Sequence, residues 1–478
     1  MENASNTPET LAVDLDGTLV RSDLAYEAFW SAFARNWTVP FVALLRLAGG
    51  RPALKWRLAA LSSVNVATLP YDNDVLQYVQ GWRKDGGRAA LVSATHQVFV
   101  EKIANHLGVF DEAHGTSGGA DLKGARRAAL LAEKFGEKRF AYLGHSQADL
   151  PVWEKASRAI TVRATPALRA RVAGVNATVE HLSTTRASPI PYLEALRPHQ
   201  WLKNVLVFVP MLVAHQFTLA TFVQSLCAFI SFCLIASSVY LLNDLLDLSA
   251  DRVHARKRNR PLASGAIPIV HGTFYAPLLF IGGLAIGLSV GGQFAAVMMA
   301  YYVTAIAYSI DFKRRLIIDI CVLAGLYALR IVAGAVATQI SLSVWILAFS
   351  IFLFYSLASI KRQAELVDGV ASGQVTIHGR GYRPRDVSLI SSMAVASGYV
   401  SVLVMALYVN SPAVLELYSQ PQALWGICLV LLYWISRMVM VTHRGRMNDD
   451  PIVYAVRDRI SRICLLLVVV IVAGATLL

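Results

Sequence analysis

The sequence predicts an α/β domain over residues 1–185 joined to an all-α transmembrane bundle of about nine helices over residues 186–478. Three observations predict it. Short apolar runs alternate with helix-period stretches before residue 190. Long apolar runs follow from residue 204, and the basic residues of that half gather in every second loop. The chain is 55% hydrophobic and 16% charged, with a mean hydropathy of +0.49. An average soluble protein carries about a quarter charged residues, so a membrane is expected.

In the front half, Leu11–Asp14, Ala89–Ser93, Arg139–Leu143 and Ala159–Val162 read as buried parallel strands. Glu101–Leu107 and Gly124–Phe135 read as helices between them. The segment Tyr26–Leu61 breaks the alternation with Trp30, Phe33, Trp37, Phe41, Arg46, Lys55 and Arg57. It is expected to be a helical cap over the strand ends; a second reading rests it on a membrane surface. Thr184–Pro191 is the linker candidate.

In the back half, apolar runs lie at 204–215, 220–243, 272–291, 293–310, 316–337, 343–360, 387–408, 422–440 and 461–478. Most approach the roughly 20 residues that cross a bilayer. The first is short, and its polar neighbours suggest a tilted or partly buried span. Lys and Arg cluster at 252–260, 313–315, 361–385 and 444–459, and are absent from 214–221, 291–293, 338–343 and 410–423. Nine spans put every basic loop, and the N-terminal domain, on one side, which the charge rule makes cytoplasmic. The net charge of +13 thus follows the membrane rather than a nucleic-acid face. The five cysteines lie in or beside apolar runs without a CxxC pair, and are expected to be reduced.

After the second run comes Asn243-Asp244-Leu-Leu-Asp247-Leu-Ser-Ala-Asp251-Arg252, then His254, Lys257, Arg260-Pro261 and Ser264-Gly265. Carboxylates at i, i+3 and i+7 share one helix face and repel one another unless cations neutralise them. Mg²⁺ is the natural partner, as a hard ion that takes oxygen ligands, and the basic residues beyond suit phosphate oxygens. The plain alternative is a solvated acidic helix end, but carboxylates at the end of a span are costly and usually functional. This pattern resembles the first signature of the UbiA superfamily of intramembrane prenyltransferases, over about residues 193–478 with Leu196-Arg197-Pro198-His-Gln200-Trp201-Leu-Lys203-Asn204 leading in. The resemblance implies a nine-helix bundle with a central cavity, in which Asn243, Asp244, Asp247 and Asp251 hold Mg²⁺ on a diphosphate. Members that prenylate aromatic rings carry a second aspartate-rich motif after the sixth helix. Here that place reads Ser359-Ile-Lys361-Arg362-Gln-Ala-Glu365-Leu366, which suits a bare phosphate.

Tyr308-Ser309, Lys313, Asp319, the stretch Gly379-Arg380-Gly381-Tyr382, and Arg444 to Pro451 with Arg446, Asp449, Asp450, Asp458 and Ser461 add charged groups on the same side. The set resembles the branch that makes decaprenylphosphoryl-5-phosphoribose. That resemblance implies phosphoribosyl pyrophosphate as donor and a polyprenyl phosphate as acceptor, in the inner membrane. It also implies that Lys203, Asn243, Arg252, Lys257, Arg260, Tyr308, Lys313, Lys361, Arg362 and Arg446 bind substrate phosphates. The catalytic set it implies is Asp244, Asp247 and Asp251.

At the front, Leu11-Ala-Val-Asp14-Leu-Asp16-Gly17-Thr18 sets two carboxylates just past a buried strand. One can attack phosphorus while its neighbour handles the proton. Leu91-Val92-Ser93-Ala94-Thr95, Leu122-Lys123-Gly124 and Tyr142-Leu143-Gly144-His145-Ser146-Gln-Ala-Asp149 follow in order. Four such motifs resemble the haloacid dehalogenase (HAD) superfamily, a Rossmann-like fold, over about residues 9–175. The resemblance implies Asp14 as nucleophile, Asp16 as acid/base, Ser93 and Lys123 as phosphate ligands, and Mg²⁺ near Asp14, Asp16 and Asp149. His145 departs from the pattern, standing where the family has a carboxylate. Phosphatase action on the lipid-linked 5-phosphate is the task the fusion suggests.

Two rival readings stay open: a prenyltransferase moving a polyprenyl group from its diphosphate to an aromatic or other small acceptor, and a transporter or lipid-binding membrane protein. His199, His254, His378 and His443 lack metal-ligand spacing and read as polar loop residues. The sequence carries no signal for nucleic acid or for an oligomeric state.

Overall fold

The computed structural model describes residues 9–36, 38–40, 57–58, 60–117, 122–182, 188–371, 381–447 and 450–477. Half of the expected cap (37, 41–56, 59), linker positions 184–187, His378, Gly379, Arg380 and Asp449 lie outside the described residues.

The front of the chain folds around a six-stranded parallel sheet of order β3-β2-β1-β4-β5-β6. The strands are β1 Thr10–Asp14, β2 Arg88–His96, β3 Glu112–Thr116, β4 Phe140–Gly144, β5 Arg158–Val162 and β6 Val179–Leu182. β1 and β4 are buried throughout, as a sheet covered on both faces requires. One core packs Leu11, Val13, Leu91 and Leu143 against Val75, Val79, Val100 and Ile103; the other packs Ala12, Val92, Phe140 and Tyr142 against Leu131 and Trp153. The strand order reverses between β1 and β4, and such a switch point opens a crevice beyond the strands' carboxyl ends. Asp14 ends β1 there, and Gly144 ends β4. Helix Leu24–Arg35 starts immediately beyond that crevice, where Asp23 accepts from the backbone N–H groups of Ala25 and Tyr26. Its Leu24, Ala28 and Ala32 enter the first core.

Among the described residues, eight helices are long and apolar enough to cross a membrane. They are Leu219–Leu246, Ile269–Val290, Gly292–Ile310, Ile318–Thr338, Val344–Ala371, Val387–Val409, Trp425–His443 and Arg459–Leu477. Leu278, Ile281, Leu288, Leu403, Leu429 and Leu465 on them are more than half exposed. Side chains of that size in such numbers need an apolar solvent. The short first run folds as a 3₁₀ stretch, Pro198–Phe208, continued by a helical turn, Val209–Val213. Proline at 198 and 210 withholds two backbone donors, and Lys203, Asn204 and Val207 are buried. The segment is short and partly buried, where the sequence was read as a tilted or partly buried span, and it is not among the eight helices long enough to cross a membrane.

Packing divides the chain into two units, Met1–Leu196 with Tyr240–Ala276, and Arg197–Val239 with Pro277–Leu478. In the second, the segment Pro198–Phe208 lies against helix Ile318–Thr338, where a Cβ added at Gly334 would fall on the carbonyl oxygen of Val207. Backbone cannot retreat as a side-chain tip can. Gly334→Ala is therefore expected to cost about 1–3 kcal/mol, read as a lowered melting temperature of the detergent-solubilised protein; an unchanged value would contradict this packing.

Candidate active sites

The first cluster lies at the crevice beyond β1 and β4. Asp14 Oδ1 accepts from Arg127 Nη1 at 2.8 Å, and Oδ2 accepts from Thr18 Oγ1 at 3.0 Å with His145 Nδ1 at 3.3 Å. Asp149 Oδ1 accepts from Arg127 Nη1 and Tyr142 Oη, each at 3.1 Å. Its Oδ2 accepts from the backbone N–H groups of His145 and Ser146 and from Ser146 Oγ. Asp14, His145 and Asp149 each bring one ligand atom within 4.8 Å of the others. Burial alone would raise Asp14, but Arg127 and His145 hold its carboxyl below the ordinary carboxylate value. Asp149 is raised, by burial and then by the charge on Asp14.

Asp16 faces elsewhere. It accepts from Ser93 Oγ at 2.8 Å, Thr95 Oγ1 at 2.7 Å and the Leu24 amide at 2.8 Å. Burial, then the charge on Asp23, pushes it up to about 6. The two carboxylates thus stand in different environments, Asp14 lowered and Asp16 raised. Lys123 is exposed. The cation that reaches Asp14 is Arg127, one helical turn further on, which the sequence reading missed.

The second cluster is the acidic helix end. Arg260 Nη1 donates to Asp244 Oδ1 at 3.0 Å and to Asp251 Oδ2 at 2.6 Å. One guanidinium nitrogen thus bridges two of the three carboxylates, standing in for a cation between oxygen donors. That donor set fits Mg²⁺. Burial raises Asp251, against Arg260. Asp247 is half-buried on the same segment, as is Asn243, while Lys257 is exposed.

Arg252 is a correction. Expected on a substrate phosphate, it is buried in a fork with Glu27, Nη2 to Oε1 at 2.5 Å and Nη1 to Oε2 at 3.1 Å. Its Nε donates to the Ala263 carbonyl at 3.0 Å, and Ser22 Oγ donates to Glu27 at 2.7 Å. Glu27, 225 residues away in the chain, thus neutralises the charge that Arg252 carries into the interior.

The third cluster lies in the second packing unit. Asp450 Oδ2 accepts from Lys203 Nζ at 2.6 Å and Lys361 Nζ at 3.0 Å, and Tyr327 donates its hydroxyl to the same carboxylate. Burial would raise Asp450, yet the two lysines hold it far below the usual range. Nearby, Arg330 donates to Asn204 Oδ1 at 2.9 Å and lies over the rings of Phe232, Tyr301 and Tyr327. Arg362 is a second correction: fully buried, its guanidinium is taken by Asp319, Nε to Oδ2 at 2.7 Å, and by Glu365. Tyr308 donates to Asp319 at 2.8 Å. Lys313 is half-buried and Arg446 exposed. Tyr327 and Arg330 were outside the expected set, although an arginine within an apolar span is itself a signal; Asp450 was named in the sequence with the 444–451 stretch, without its lysine partners.

A family model described as "UbiA prenyltransferase family" matches residues 204–457, and one for haloacid dehalogenase-like hydrolases matches residues 11–154. The chain is 37% identical to the uncharacterized protein y4nM of Sinorhizobium fredii, over 94% of this chain and 88% of that one. It is 38% identical to the nodulation protein NoeC of Azorhizobium caulinodans, over 59% and 92%. A decaprenyl-phosphate phosphoribosyltransferase of Mycolicibacterium smegmatis is also 38% identical, over 36% of this chain and 56% of that enzyme. A solved UbiA homolog from Archaeoglobus fulgidus, bound to GPP and Mg²⁺, is 16% identical, covering 59% of this chain and 99% of its own, with a TM-score of 0.46.

Two outcomes are expected. Glu27→Ala strands a buried guanidinium and should cost about 3–5 kcal/mol, most of it recovered by adding Arg252→Met; equal instability of single and double variants in thermal melts would refute the pairing. Asp16 has a folded pKa of about 6 against 3.8 for the ordinary group. Its ionisation therefore costs the fold nothing below pH 3.8, and the cost is complete above pH 6. About two units correspond to roughly 3 kcal/mol. Asp16→Asn should thus stabilise the protein progressively more as pH rises from 4 to 7, as thermal melts of both proteins across that range would show.

Proposed function

The chain belongs to the UbiA prenyltransferase family, and from that premise we propose that it moves a 5-phosphoribosyl group from phosphoribosyl pyrophosphate to a polyprenyl phosphate. It is a multi-pass membrane enzyme, and the charge pattern of its loops supports the inner membrane with the front domain and the reaction on the cytoplasmic side. The carrying observation is the division of charge between two clusters. Three carboxylates suit a metal-bound diphosphate, while Lys203 and Lys361 converge on the single carboxylate of Asp450, a grouping suited to a bare phosphate. The printed name of the Mycolicibacterium relative points the same way.

When bound at Asp244, Asp247 and Asp251, Mg²⁺ supplies the positive charge that a leaving diphosphate needs. Arg260, Lys257 and Asn243 hold the remaining diphosphate oxygens. Lys203, Lys361 and Lys313 orient the acceptor, with Tyr308 and Arg446 at the margins. An oxygen of the lipid phosphate attacks ribose C1, a new C–O bond forms, and the bond from C1 to the diphosphate breaks with its electron pair leaving on the diphosphate. The acceptor is already an anion, so no base is required, and positioning with charge neutralisation carries the step. The product retains its 5-phosphate, a monoester of the class that the front domain's Asp14 and Asp16 suit.

Membranes containing the protein, supplied with Mg²⁺, a long-chain polyprenyl phosphate and ribose-labelled phosphoribosyl pyrophosphate, should place label in the organic phase. Asp247→Ala is expected to abolish it. Activity instead from a prenyl diphosphate and an aromatic acceptor, with no lipid-borne ribose, would replace this reading by ordinary prenyl transfer.

A further inference from the structure

We propose that the phosphoryl pocket of the front domain carries its cation in its own side chain, Arg127, with the imidazole of His145 beside it, and takes a phosphate monoester without a divalent ion. The inference deepens the phosphatase-like reading of that pocket and rests on it.

Asp14 and Asp149 are the carboxylates a divalent ion would require, and the protein already engages all four of their oxygens. Arg127 Nη1 joins Oδ1 of Asp14 to Oδ1 of Asp149, at 2.8 and 3.1 Å. Thr18 and His145 face the second oxygen of Asp14, and the amides of His145 and Ser146 with the Ser146 hydroxyl take the second oxygen of Asp149. Arg127 is 5% exposed, and a guanidinium does not give up its proton. Two carboxylates and one fixed cation need at most one further positive charge. A divalent ion would stand against a buried guanidinium in a medium that screens poorly.

The donor set argues the same way. His145 replaces an oxygen ligand by imidazole, which Mg²⁺ disfavours. The ring is also held in place: Thr18 Oγ1 lies 3.0 Å from its Nδ1, and the ring covers the space that a Cβ at Gly17 would fill. Gly17 has φ +73°, so glycine serves both the turn and the ring above it. Of Asp14, Arg127, His145 and Asp149, His145 is the one with a substantial part of its side chain exposed, 35% against 4–6% for the others. An incoming phosphoryl group therefore meets imidazole first, with the guanidinium behind it. Ser93 and Thr95, gathered on Asp16, supply hydroxyls on the other side.

The test uses the full-length protein in detergent and tungstate as the phosphoryl mimic. Hydrogen exchange is followed in peptides spanning residues 11–24 and 139–150, which report this pocket and not the membrane clusters. Protection in EDTA should match that in Mg²⁺ to within about twofold in the half-saturating tungstate concentration. His145→Asp returns an oxygen ligand to the set, and its protection should become dependent on Mg²⁺ by about tenfold or more. Wild-type protection that appears only with Mg²⁺ would overturn the inference while leaving a phosphoryl pocket standing. Absence of protection under both conditions would overturn the pocket reading and this inference together.

Discussion

A charge taken out of water must meet an opposite charge, and that requirement organises every cluster in this molecule. The energetic asymmetry is steep: a buried pair costs little net, while a buried charge that has lost its partner costs several kcal/mol. Arg127 between Asp14 and Asp149, Arg260 between Asp244 and Asp251, Asp450 between Lys203 and Lys361, and Arg362 against Asp319 and Glu365 all obey it. In each of these four, one ion serves two partners of opposite sign, so each cluster keeps a residual charge. That residue is what a substrate can use. The acidic helix end stays negative and the lysine pair stays positive, the two charges on which the proposed reaction draws.

The two kinds of pairing divide by role. Glu27 with Arg252 balances one for one, buried on both sides, and leaves nothing over. Such a pair fixes where two segments meet but recruits no ligand. Arg362 is likewise engaged inside the fold, shared between Asp319 and Glu365. Sequence motifs do not distinguish a free cation from a spent one, because the partner that spends it sits elsewhere in the chain.

Much of the fold was legible because it is written in local pattern. β1, β2, β4 and β5 are apolar runs, the first three of them leading into motif residues, and the eight long helices are apolar for about the thickness of a bilayer. β3 and β6, Glu-Ala-His-Gly-Thr and Val-Glu-His-Leu, escaped notice because edge strands are half solvated and need no apolar run. The site was legible where chemistry clusters in sequence, at Asp14 with Asp16 and at Asp244, Asp247 and Asp251. It was not legible where a contact spans the chain: Lys203 meets Asp450 across 247 positions, and Glu27 meets Arg252 across 225. Lys123 and Arg127 lie one turn apart at the start of one helix, and only packing decides which of them turns inward.

The Glu27–Arg252 fork also bears on how such a gene could be divided. Cut between its front and membrane parts, the reading frame would yield two products, each with an ionised group shaped for burial and nothing to bury it against. Each half would then need a compensating substitution before it could live apart, and the two substitutions would have to arise at positions that no longer share a transcript. A charge pair of this kind acts as a ratchet: fusion of the parts is easy to enter and hard to reverse.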